Sequence, residues 1–487
     1  MTTFDLILRN ATLVDPQNGV EGRRDIGIAG GLVAVVEPSL SGSAAREEDL
    51  SGLTVIPGIV DLHVHLSAWL GGRAGHRMLA LAGVTTALDM AGPIESVIEI
   101  AREHGAGLNV ACVNYVRPGH TVASTDPGEG ELRDLLWRSL RAGAIGLKLL
   151  GGHFPMTPDS AARTIAIARE QGAYIAFHAG TLASGSHIDG MLEACELAAG
   201  NPLHLAHINS YTRGLVRPAM TEGEEALAAL VAHPNILSES YLSPINATSA
   251  KCNEGVPESR QTQTWLEIGG FPPTEQGLAD AIEAGWALLN AERDGTIVLA
   301  TGPEAVAHWR ERDMNLGVSF LANPSEPRIR LATAKGGDGR FIVDALATDG
   351  GGIPRNVIVE KGLALVRLEA WTMADFVQKS SRAPARALGL FGKGHLGPGA
   401  DADITVLDVE RGVPRMSLVA GAFVMRDGAV LGRGSRLITT PLGAQAAQEA
   451  GIPGPVVPLG TMLRREAICE PRIDDGRSSA ASEEIGA

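Results

Sequence analysis

Two histidines close the run Val55-Ile56-Pro57-Gly58-Ile59-Val60-Asp61-Leu62-His63-Val64-His65. The run is rich in β-branched residues and enters through a Pro-Gly turn, so it reads as a strand. Side chains two apart on a strand project from the same face. His63 and His65 therefore offer paired imidazoles, a metal-ligand geometry. In a chain with 13 histidines such a pair also arises by chance. Its weight comes from later in the sequence, where isolated His, Lys and Asp residues recur at or near the C-terminal ends of short apolar runs.

Those runs cover 83–90, 108–113, 144–150, 174–178, 203–207, 236–240 and 342–349, with helix-period segments such as 160–171 and 188–199 between them. Counting the first, eight strand-helix repeats predict a closed (β/α)8 TIM barrel, with its active site at the C-terminal strand ends. An open doubly wound sheet would place a glycine-rich phosphate turn after its first strand, and His63 and His65 occupy that position instead. Gly392-Lys393-Gly394-His395-Leu396-Gly397 is spaced for turns before a strand.

Short apolar segments separated by turn residues fill 4–54, and similar ones return at 402–408 and 423–430. Both ends are expected to pair into one small discontinuous β-sandwich. The expected organisation is an N-terminal sandwich segment at 1–56, the barrel at 57–390, a C-terminal sandwich segment at 391–438, and an extension and tail at 439–487. The stretch 244–340 is too long for a simple connection and carries a helical pattern over 274–293, so it is expected to form a lid-like insertion. The extension is expected to be ordered to about Cys469 and disordered beyond it.

A net charge of -15 over 487 residues argues against nucleic acid or an anionic membrane as partner. No run reaches the length of a membrane span, and no basic-then-apolar leader opens the chain. Cys112, Cys195, Cys252 and Cys469 lack metal or disulfide spacing, which points to a cytoplasmic, reducing setting.

Placed at strand ends, the candidate site is His63 and His65 on strand one, Lys148 on strand four, His178 on strand five, His207 on strand six and Asp349 on strand eight. A lone lysine inside Gly146-Leu147-Lys148-Leu149-Leu150 needs a reason, because a buried ammonium is costly. One reason is reaction of the neutral amine with carbon dioxide to give a carbamate able to bridge two cations; the alternative is a side chain that snorkels out of the barrel. His204, three residues before His207, is expected on the opposite face against a helix. His153, Asn209, Ser210 and Tyr211 lie just past strand ends and are candidate substrate contacts. Lys251, Arg260, Arg310, Arg312, Arg328 and Arg330, in the insertion, are candidates to pair with a substrate carboxylate.

The combination resembles the amidohydrolase superfamily, in its branch with a two-metal centre bridged by a carboxylated lysine. The resemblance covers most of the chain: residues 57–65, Gly83-Val84-Thr85-Thr86, Lys148, His178, His207, Asp349, 381–390 and 394–403. It implies that His63, His65 and Asp349 hold the more buried metal, that His178 and His207 hold the second, and that Lys148 bridges both as a carbamate. Zinc suits these ligands best, with manganese, iron or cobalt as replacements. It further implies hydrolysis of a carbon-nitrogen bond by metal-bridged hydroxide, with Asp349 as general base.

Within the superfamily, the lysine-bridged centre resembles dihydroorotases and hydantoinases, which act on cyclic amides. Residues 188–196 resemble N-acyl-D-amino-acid deacylases, but those commonly use a cysteine on strand two, where this chain has Thr85, Thr86 and Asp89. A subunit resembling that of formylmethanofuran dehydrogenase, working in a complex, and a non-catalytic scaffold are the alternatives. Filled ligand positions favour an enzyme with a small-molecule substrate, and enzymes of this kind often form homo-oligomers.

Overall fold

The computed structural model describes residues 3–68 and 71–466. The expected disordered tail after Cys469 lies outside the described residues. The barrel strands are Ile59–His65, Val84–Asp89, Ala106–Val116, Gly146–Leu150, Tyr174–His178, Leu203–Leu205, Ile236–Tyr241 and Ala345–Ala347. Each pairs in parallel with the next. Directly beyond Asp349, Gly350 and Gly351 lie parallel to Val64 and His65, which closes the ring.

The connecting helices form because their apolar residues repeat at helical spacing. Glu129–Ala142 buries Leu132, Leu135, Leu136 and Leu140 on one face and ends at Gly143, whose φ of 112° is reached without the penalty a Cβ would impose. Thr157 caps Pro158–Glu170 by accepting the Ser160 N–H, with proline in the first turn where no amide hydrogen is needed.

Nine strands from the two ends of the chain form a second sheet. Its seam is Thr54–Pro57 against Ile404–Asp408, antiparallel with Pro57 opposite Ile404. Gly58 follows at once, its N–H donating to Asp403 O at 2.8 Å. A Cβ at Gly58 would collide with the Thr85 side chain, so the Pro-Gly turn is what lets this sheet run directly into the first barrel strand. The chain later leaves that sheet, and Gly434–Thr439 lies parallel to barrel strand three, Leu437 opposite Val110.

Between strands seven and eight the chain builds a separate layer. A four-stranded sheet of Asn246–Ser249, Gly317–Phe320, Ala287–Arg293 and Thr296–Ala300 packs around Trp265, Leu278, Ile282 and Trp309. The helical pattern over 274–293 is realised only in its first half: Thr274 caps Glu275–Glu283, and Gly285, at φ 78°, turns the chain into the strand Ala287–Arg293. Glycine there ends a helix that apolar periodicity alone would continue. Among the described residues no helix is long and apolar enough to cross a membrane.

Candidate metal centre

Strand one places both of its histidines at the C-terminal mouth of the barrel. Asp61 ties that strand to strand eight: its Oδ1 accepts the His63 N–H at 3.1 Å and the Thr348 N–H at 3.2 Å, while Oδ2 accepts the Thr348 hydroxyl. Burial pushes the Asp61 carboxyl up to about 7 in spite of these donors. The consequence is positional, because Thr348 is the residue before Asp349.

Asp349 leaves the strand in a left-handed conformation, φ 52°, which turns its carboxylate into the barrel mouth. Its Oδ1 lies 2.9 Å from His65 Nε2 and 3.3 Å from His63 Nε2. One ligand atom from each of the three residues lies within 4.8 Å of the others. Ligand atoms about 2.0–2.1 Å from a tetrahedral zinc stand roughly 3.3 Å apart, so these separations suit a common cation. Burial holds the His63 imidazole well below its ordinary range, hence neutral and able to donate a lone pair. Burial works to raise Asp349, but the neighbouring Arg355 guanidinium, then His63 and His65, overcome it and keep the carboxylate ionised. This donor set of two imidazoles and a carboxylate could hold a divalent cation.

Across the mouth, His178 Nδ1 and His207 Nε2 lie 3.2 Å apart, again a tetrahedral edge. The His63 and His207 rings stack with centroids 5.1 Å apart, so the two groups of histidines adjoin. His207 lies beyond the end of the pairing in strand six and has φ 37°. Lys148 is 1% exposed, with Nζ 3.7 Å from Met90 Sδ and no carboxylate within ion-pair distance among the described residues. Burial lowers its amine to about 8, against the pull of Glu239, Asp349 and Asp89. It does not snorkel.

His204 points the other way from expectation. The register places Lys148, Ala176 and His204 in one row, so His204 faces the barrel interior with Lys148. Its Nδ1 lies 2.8 Å from the Tyr174 hydroxyl. Strand alternation does not relate His204 to His207, because the chain has left strand geometry before His207.

The candidate substrate contacts divide. The His153 ring lies 5.5 Å from that of His178, on an exposed residue. Tyr211 and Asn209 act as braces: the Tyr211 hydroxyl accepts the Ala179 N–H at 2.7 Å, and Asn209 Oδ1 accepts the Tyr241 N–H at 2.9 Å. Ser210 Oγ sits 3.2 Å from the Tyr241 hydroxyl and 3.1 Å from Arg213 Nη2. Of the cations in the insertion, Lys251 pairs with Glu258 and Arg330 with Glu224, both in exposed positions. Among the described residues, Arg213, whose charge acts on His207 and which donates to Asn246 and Asn323, and Arg355, paired with Asp349, are cations beside the site. Both lie in loops outside the insertion, where sequence pattern gives no signal. Glu239 is a further omission; a lone glutamate in the apolar strand Ile236–Tyr241 is open to the same reasoning as Lys148.

The fold and this site define a (β/α)8 barrel with a discontinuous β-sheet domain and a candidate site for a divalent cation. The amidohydrolase family model matches residues 54–234. An allantoinase from Deinococcus radiodurans is 43% identical over 93 residues, which are 18% of this chain and 20% of that protein. A dihydroorotase from Elusimicrobium minutum is 24% identical over 439 residues, 83% of this chain and 88% of that one. Among solved structures, an N-acyl-D-glutamate deacylase from Bordetella bronchiseptica complexed with zinc superposes with a TM-score of 0.65 at 16% identity, over 90% of this chain and 99% of that one. Residues 54–234 thus match the amidohydrolase family, and most of the chain is similar in sequence to a dihydroorotase of known activity.

Proposed function

We propose that this protein is a binuclear metal-dependent amidohydrolase that cleaves the carbon-nitrogen bond of a cyclic amide or an N-acyl amino acid. The observation that carries the reading is the convergence at one barrel mouth of His63, His65 and Asp349 with the adjoining His178–His207 pair, above a buried Lys148 that has no carboxylate partner among the described residues. His63, His65 and Asp349 would hold one cation, His178 and His207 the other. The neutral Lys148 amine would add to carbon dioxide, forming an N–C bond and losing a proton, to give a carbamate oxygen for each cation. Zinc suits imidazole and carboxylate donors, with manganese, iron or cobalt as replacements.

Two such cations supply a water of lowered pKa and polarise the scissile carbonyl. The chain's own role is proton transfer and placement. Asp349 accepts the proton of the attacking water and passes it to the departing nitrogen as the C–N bond breaks, giving a carboxylic acid and an amine. Arg355 occupies Asp349 Oδ2, so Oδ1 is the oxygen turned towards the histidines. Arg213, Ser210 and Tyr241 form a hydrogen-bonded group at the end of strand seven, and polar substrate groups would be recognised on that side.

The test is turnover by metal-loaded protein of a panel of hydantoins, dihydropyrimidines, allantoin, N-acyl-D-amino acids and formamides. Amide hydrolysis that is abolished in Asp349→Asn supports the reading. Hydrolysis unaffected by that substitution contradicts it.

A further inference from the structure

Strand seven carries a carboxylate that neither set of proposed ligands uses. Glu239 is fully buried, and a single oxygen of it, Oε1, meets both groups of histidines. His63 Nδ1 lies 2.7 Å from Oε1, and the backbone N–H of His207 donates to the same atom at 2.6 Å. With Glu239 ionised, Oε1 accepts from both, so that His63 carries its proton on Nδ1 and keeps the lone pair on Nε2, the atom facing Asp349. The contact to the His207 amide holds the left-handed turn that aims the His207 ring at His178.

We propose that Glu239 is a positioning residue that couples the two cation positions. It fixes the tautomer of a ligand in the first and the backbone of a ligand in the second, so its loss weakens both together. Hydrogen bonds of this kind behind metal-bound histidines orient the ring and raise its basicity, and their removal typically costs about 10–100-fold in metal affinity. The inference rests on the two-cation reading above. It also predicts something that reading does not require: the His63 Nδ1–H is present and shielded from solvent before any metal binds.

Two variants and two measurements test it. In Glu239→Gln the side chain keeps its length and an oxygen that accepts both N–H groups, but cannot carry a charge; in Glu239→Leu both contacts go. Zinc titration of the metal-free proteins, without substrate, should show affinity falling at both positions, by about 10-fold in Glu239→Gln and about 100-fold in Glu239→Leu. Proton NMR of the metal-free wild type should show a downfield, slowly exchanging imidazole N–H that is absent from Glu239→Leu and from His63→Gln. Unchanged affinity in a natively folded variant, or loss confined to one position, overturns the coupling. If the wild type takes up no zinc, the two-cation reading fails, and the imidazole proton alone decides the Glu239–His63 contact: its absence overturns that too.

Discussion

Arg355 grips Asp349 from the side away from the histidines. Its guanidinium pairs with Oδ2 and with the Asp349 carbonyl oxygen, while Oδ1 faces His65 at 2.9 Å. Arg355 is 2% exposed and also donates to Ile245 O at 3.2 Å. A buried carboxylate that loses such a partner is left uncompensated, so Arg355→Met should destabilise the metal-free protein by about 3–5 kcal/mol, measured by urea unfolding. Because Arg355 favours the ionised form, its removal raises the Asp349 pKa. The acidic limb of kcat/KM should therefore move to higher pH in the variant.

Lys148 and Asp349 should separate by metal content. Lys148→Ala is expected to lower both bound metal and turnover. Asp349→Asn is expected to abolish turnover with a smaller loss of metal, since His63 and His65 remain. Elemental analysis beside activity checks both, and full activity in either variant would contradict the proposed mechanism.

Carbamate formation predicts a dependence on dissolved carbon dioxide. Burial lowers the Lys148 amine to about 8, so its reactive neutral fraction grows as pH rises from 7 and levels above that value. At fixed dissolved carbon dioxide, chelated protein given zinc should regain activity faster at pH 8.5 than at pH 7. Without carbon dioxide it should regain little. Equal recovery with and without carbon dioxide would remove the carbamate.

A second buried lysine gives a prediction about stability alone. Lys379 donates to Val343 O at 2.7 Å beneath Phe341, and burial lowers its amine to about 7. Between that value and its ordinary 10.5 the unfolded chain binds the extra proton, so this lysine destabilises the fold at pH 7 and less so as pH rises. Relative to Lys379→Met, the wild type should gain stability from pH 7 to 9, with a slope of at most about 1.4 kcal/mol per pH unit. A difference independent of pH would show that Lys379 stays charged.

How legible the site is depends on whether a residue sits within regular structure. His63, His65 and Lys148 lie inside strands, where a period of two and the cost of a buried charge single them out. His204 departs from expectation because alternation does not carry across the end of strand six, where His207 has already turned to φ 37°. Arg213 and Arg355 lie in loops, whose approach to the mouth depends on how strands six, seven and eight end rather than on local pattern. The insertion is legible as an extra unit, yet the second half of its helical pattern is a strand, because Gly285 overrides the helical spacing.

The most direct test of the central claim is the metal-to-protein ratio of the purified wild type and of Lys148→Ala, both expressed with added bicarbonate. The account predicts a ratio near two in the wild type and a clear loss in the variant. One metal or none, unchanged by the substitution, would contradict it and make Lys148 a structural residue.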